Sequence, residues 1–124
     1  MFDHVEFAVA NIVASRAFYG AALTALGHEE VFFDKGAGTA GYGCDEITGL
    51  LIFKGETGPR HHHICFTATS RRQVEAAYEA AVAAGGRDNG GPGYRDNYAP
   101  GYYAAFVFDP DGNNIEFLFR EPQG

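Results

Sequence analysis

Basic residues are scarce in this chain, with nine Lys and Arg against sixteen Asp and Glu, a formal charge of −7 and no run of cations. Proteins that track nucleic-acid phosphates need such cations to neutralise them, so that class is excluded. The same deficit opposes adsorption to an anionic membrane surface. Long apolar runs are missing too, and nothing approaches the roughly 18 residues needed to cross a bilayer. The opening segment, MFDHVEFAV, has neither a basic region nor a small-residue cleavage site, which predicts no signal peptide. Cysteine occurs only at Cys44 and Cys65, outside any CxxC, which is too little for a disulfide framework. Free thiols fit a reducing compartment. These absences predict a cytoplasmic protein whose partner is a small molecule.

What is present is an ordinary globular balance, 46% hydrophobic and 20% charged over 124 residues. A chain of this size buries roughly two-thirds of its unfolded surface, enough for one domain spanning 1–124. Within it the sequence repeats. HVEFAV at 4–9 and HICFTA at 63–68 are short strand-like runs that both begin with His, offset by 59 residues. The segments that follow keep the offset: Tyr19 over Tyr78, Ala21 and Ala22 over Ala80 and Ala81, Gly27 over Gly86. Asn11 and Ser70, both good N-cap residues, share it as well. Each repeat therefore reads as a strand and a capped helix ending at glycine, Gly27 or Gly86, where a left-handed backbone is tolerated.

The rest of the first unit predicts three strands, at about 29–34, 39–44 and 49–54, separated by glycine-rich turns. The second unit has a long loop, RDNGGPGYRDNYAPG at 87–101, with its first post-helix strand expected near 87–95. Strands at about 102–108 and 114–119 follow, joined by the turn signal DPDGN. The fold class is thus α+β, two βαβββ modules at about 1–58 and 59–124.

Strand parity then selects candidate residues, because alternate side chains face opposite sides. Val5, Phe7 and Val9 form the apolar face for a helix, which leaves His4, Glu6 and Ala8 opposite. In the repeat, Ile64, Phe66 and Ala68 take the helix side and leave His63, Cys65 and Thr67. In the last strand Ile115, Phe117 and Phe119 leave Asn114, Glu116 and Leu118. His4, His63 and Glu116 share the helix-free face, the inside of one cleft if the modules are related by pseudo-symmetry. Two imidazoles and a carboxylate bind a divalent metal such as Zn, Ni, Mn or Fe and leave coordination positions open. Two adjacent substrate oxygens can chelate through those positions, with the metal as Lewis acid.

Other residues fill supporting roles. Glu6 and Cys65 occupy repeat-equivalent positions on the cleft face, Glu6 as a general base and Cys65 as a substrate contact or small filler. His61 and His62 read as exposed loop histidines. Tyr94, Arg95, Tyr98, Tyr102 and Tyr103 crowd ten residues of the long loop and its exit. Arg95 and Tyr98 lead as substrate-orienting groups, with Tyr103 beside them. Tyr19 and Tyr78 read as structural.

HVEFAV, SRAFYGAALTALG, HICFTATSRRQVEAAYEAAVAAGG and DPDGNNIEFL, in that order, resemble the vicinal-oxygen-chelate superfamily of glyoxalases, bleomycin-resistance proteins and extradiol dioxygenases. The resemblance covers essentially the whole chain. It implies paired βαβββ modules enclosing a metal, with ligands at His4, His63 and Glu116. It implies lyase or isomerase chemistry on a chelating substrate, with Glu116 and Glu6 as the proton-moving groups. It equally includes antibiotic-binding proteins without catalysis, thiol transferases and dioxygenases. Leu51 stands where glyoxalase I carries a further carboxylate, and no additional catalytic His follows the second ligand as in the dioxygenases. A homodimer is expected, because paired modules present sheet edges that must be covered.

Overall fold

A computed structural model describes all of residues 1–124. In chain order it contains β1 (Val5–Val9), α1 (Ile12–Ala25), β2 (Glu29–Asp34), β3 (Thr39–Cys44) and β4 (Ile47–Lys54). These are followed by β5 (His63–Thr67), α2 (Arg71–Ala83), β6 (Arg87–Asp88), β7 (Gly93–Tyr94), β8 (Tyr102–Phe108) and β9 (Asn114–Arg120). The first sheet runs β1-β4-β3-β2 and the second β5-β9-β8-β6, with β7 also pairing β8. In both sheets the opening strand lies parallel to the closing strand of its own unit. The α+β class and the βαβ start of each unit are as the sequence predicts.

Both helices start where side-chain caps satisfy free amides. Asn11 Oδ1 accepts from Ala14 N at 3.1 Å, and Ser70 Oγ accepts from Gln73 N at 3.1 Å. Such a cap contributes about 1 kcal/mol. Their far ends differ. Gly27 takes the left-handed conformation after α1, with φ +89. After α2 that role falls to Gly85, with φ +105, and not to the repeat-matched Gly86. Gly86 is small for another reason: a Cβ there would lie 2.6 Å from Val107 and 2.7 Å from Phe18. The repeat register slips by one residue to allow that close packing.

One core joins the two units. Phe7, Val9, Phe18, Tyr19, Leu23 and Ile52 from the first pack in the same cluster as Val74, Ala77, Val107, Ile115 and Phe117 from the second. The helix-facing parity therefore holds at its centre, although Val5 is 38% exposed at the edge. Two local expectations change. The β4 strand starts at Ile47 because Asp45 and Glu46 form a two-residue turn, both at positive φ. The strand expected near 87–95 is two short pieces, β6 and β7: Asn89 N and Gly90 O still bond to Phe106, and the pairing is broken at Gly91 and Pro92. No helix is long and apolar enough to cross a membrane.

Candidate functional site

On the second sheet the register places Cys65 beside Glu116, and Glu116 beside Phe106, all on the face away from α2. The same face carries His63, Asn114 and, toward the far end, Tyr102 opposite Arg120. Glu116 is only 3% exposed. A buried carboxylate needs compensating partners, and two side chains reach it. His63 Nε2 lies 3.0 Å from Oε1, and the Tyr102 hydroxyl donates to Oε2.

The imidazole is held from its other side. His63 Nδ1 lies 3.0 Å from the carbonyl of Asn114. A carbonyl only accepts, so Nδ1 carries the ring proton. Nε2 of a neutral ring then turns a lone pair toward a carboxylate oxygen. That arrangement needs a cation between the two atoms, either a proton or a metal ion. It also fits a metal: ligand distances of about 2.0–2.2 Å put neighbouring N and O donors of one ion roughly 3 Å apart. A second ring nitrogen bonded to a backbone carbonyl is the usual support for a ligating histidine.

The environment keeps the flanking groups neutral. Desolvation, then the bond to Glu116 and its charge, push the Tyr102 phenol well above its ordinary range. Cys65 is exposed, and its neighbour across the strands is Glu116. Desolvation and the neighbouring Glu116 charge push the Cys65 thiol up to about 12. At neutral pH it is a thiol, suited to filling space or donating a weak hydrogen bond.

The remaining sequence candidates are dispersed. His4 precedes β1 on the first sheet, half-exposed, with Nδ1 2.7 Å from Asp3 Oδ1. That contact, above all, raises the imidazole pKa. Glu6 is exposed on the same sheet, paired in register with Leu51. Within one chain no group of three His, Cys, Asp or Glu side chains is placed to hold a metal, so His4 does not complete a cluster with His63 and Glu116. Arg95 and Tyr98 lie on the cleft side of the second sheet. The Arg95 guanidinium sits 5.4 Å over the Phe106 ring, and the Tyr98 ring meets Tyr102 edge-on at 5.1 Å. Tyr103 faces the other way and donates to Glu75 of α2 at 2.7 Å. His61 and His62 are exposed, His62 against the Phe7 ring. Tyr102 is the site residue that sequence reasoning names only as one of the clustered tyrosines, without singling it out. Its signal was parity, since it stands four residues from Phe106 on the face of Glu116.

Residues 1–117 match the family described as the Glyoxalase/Bleomycin resistance protein/Dioxygenase superfamily. The chain belongs to this superfamily. It is 30% identical to the uncharacterized protein YqjT of Bacillus subtilis (strain 168), over 93% of this chain and 95% of that one. Among solved structures it is similar to a glyoxalase/bleomycin resistance protein from Albidiferax ferrireducens T118. That match has a TM-score of 0.79 and 31% identity, covering 97% of this chain and 98% of the other. A lactoylglutathione lyase from Agrobacterium tumefaciens shares the fold, with a TM-score of 0.65 at 20% identity, over 95% of this chain and 92% of that one. The superfamily fold thus accounts for both sheets, and the His63–Glu116 pair lies on the helix-free face of the second.

Proposed function

We propose that this superfamily member is a metal-dependent enzyme acting on a small oxygen-rich substrate by bidentate chelation, with lyase or isomerase chemistry. The observation that carries the reading is His63 Nε2 lying 3.0 Å from the buried Glu116 Oε1 while Nδ1 is held by the Asn114 carbonyl, a contact that a shared metal ion would satisfy. His63 and Glu116 supply two ligands, and His4 the third. A bound divalent metal (Zn, Ni, Mn or Fe) would supply Lewis acidity toward adjacent substrate oxygens.

The whole chain serves as one domain, and the centre is shared between two copies of it. His4 and Glu6 are exposed on the first sheet. His63 and Glu116 lie on the second, and within one chain His4 does not join them in a cluster of three. A homodimer in which each first sheet faces the partner's second sheet would bring the ligands together. Glu6, two residues from His4, then arrives on the same face and is the base for proton transfer. Arg95 and Tyr98 contact the substrate. Cys65, held neutral, lines the site, while Tyr103 bonds to α2 and supports it from behind.

The test is complementation of metal binding. His4→Ala and His63→Ala homodimers should each lose most bound metal while keeping the fold. Mixing the two and allowing subunit exchange creates heterodimers. If the centre is shared, one site in each heterodimer is intact and one carries both changes, so metal returns to about half of the heterodimer's sites. If the centre forms within a chain, mixing restores nothing. Undiminished metal in both single variants would remove the ligand assignment itself.

A further inference from the structure

Beside His63 the second sheet carries a shallow cavity of about 300 Å³, lined by Asn89, Gly90, Arg95, Tyr98, Phe106 and Asn114. In a chain with sixteen acidic residues, none lines it. What its side chains offer is mostly donors. Arg95 spends one N–H on Gly93 O and one on Gly91 O, both at 2.8 Å. Three of its five N–H groups remain without a protein acceptor, and no carboxylate pairs with it. Asn89 Nδ2 donates to Asn114 Oδ1 at 3.2 Å, which occupies that acceptor and leaves the Asn114 amide NH₂ free. The Tyr98 hydroxyl is exposed and bonded to nothing in the chain.

We infer that this cavity is a carboxylate-binding subsite and that the substrate is a small monocarboxylic acid. The inference deepens the function proposed above and rests on its placement of the reacting centre at His63 and Glu116. The chemistry selects the ligand class. A guanidinium with a free edge matches a planar carboxylate through two parallel N–H···O bonds. One cation compensates one negative charge, whereas a phosphate dianion would leave an uncompensated charge on a chain already at −7. The Phe106 ring forms a flat floor beneath the guanidinium and stacks against His63 at 6.3 Å. The loop carbonyls of Gly91 and Gly93 hold Arg95 in place before any ligand arrives, which lowers the ordering cost of binding.

The test uses full-length protein stripped of metal by a chelator, so its outcome is independent of whether the metal assignment holds. Amide and side-chain NMR signals are followed during titration with sodium benzoate and, separately, inorganic phosphate. Benzoate should bind saturably in the millimolar range, with the largest shifts at Gly90, Arg95 and the Asn114 side-chain amide, and phosphate should bind at least several-fold more weakly. Arg95→Gln should weaken benzoate about tenfold or more. Arg72→Gln, the same charge change at an exposed helix position, should leave it unchanged. Because Arg95 also anchors its loop, Tyr98→Phe gives a second reading, expected to weaken benzoate about threefold with the fold intact. Absence of saturable benzoate binding, equal losses in Arg95→Gln and Arg72→Gln, or tighter binding of phosphate would each overturn the inference.

Discussion

The hydroxyl of Tyr102 and the side chain of His63 grip opposite oxygens of one buried carboxylate, Glu116. With Oε2 donated to by the phenol, the carboxylate is fixed in rotation and Oε1 is presented to His63. Tyr102 is in turn braced by the Tyr98 ring and by Arg120, whose guanidinium lies 5.1 Å from its ring centre.

Tyr102→Phe removes the donor but keeps the ring. Outer groups that orient a ligand are typically worth about 10–100-fold in metal affinity. The variant should therefore bind metal roughly that much more weakly, by competition with a chelator of known affinity. Leaving Oε2 buried without its donor should also cost about 1–3 kcal/mol of stability. Unchanged metal affinity would make Tyr102 a packing residue only.

Parity brought His63, Cys65 and Glu116 to one face from the sequence, because a period of two is fixed by strand geometry alone. The same rule applied to the long loop's exit would have separated Tyr102 from Tyr103. The register shows Tyr102 on the face of Glu116 and Tyr103 on the face of α2. The strand expected at about 102–108 has the observed start, so that separation was legible in the sequence. His4 was legible as a cleft-face residue but its distance from His63 was not, since parity says which side a residue faces and nothing about how two sheets meet. The Gly85–Gly86 exchange was hidden because both residues are glycine, one needed for its backbone and one for its size.

Buried Tyr19 ties α1 to the turn before β9 by donating to Asp109, which also accepts from Asn113 N and Nδ2. Desolvation, then the Asp109 charge, raise the Tyr19 phenol well above its usual value. An unfolded tyrosine ionises near pH ~10. Above that pH the unfolded chain has lost a proton that the folded chain retains, so stability falls as pH rises. Urea unfolding should accordingly show a decline beginning near pH 10. Tyr19→Phe should be less stable at neutral pH by about 1–3 kcal/mol, with a shallower alkaline decline. Tyr42, also raised by burial, keeps some of the slope. Identical slopes in the two proteins would show that Tyr19 ionises normally.

The turn between β3 and β4 offers a gain in stability away from the second sheet. Cys44 pairs with Ile47, so Asp45 and Glu46 are the entire loop, with φ of +52 and +64. Positive φ at both positions is what a type I′ turn requires, and its twist matches the flanking strands. Asn followed by Gly meets that demand best, whereas a side chain such as Glu pays roughly 1–2 kcal/mol for the left-handed backbone. Glycine at position 46 gives back part of this through the freedom it adds to the unfolded chain, about 0.4–1 kcal/mol. The double change Asp45→Asn with Glu46→Gly should thus stabilise the protein by about 0.5–1 kcal/mol in urea unfolding. Metal content should be unaffected, because neither Asp45 nor Glu46 is among the proposed ligands and the Cys44–Ile47 pairing is kept. A loss of stability would mean that the Asp45 and Glu46 side chains make contacts that outweigh their backbone strain.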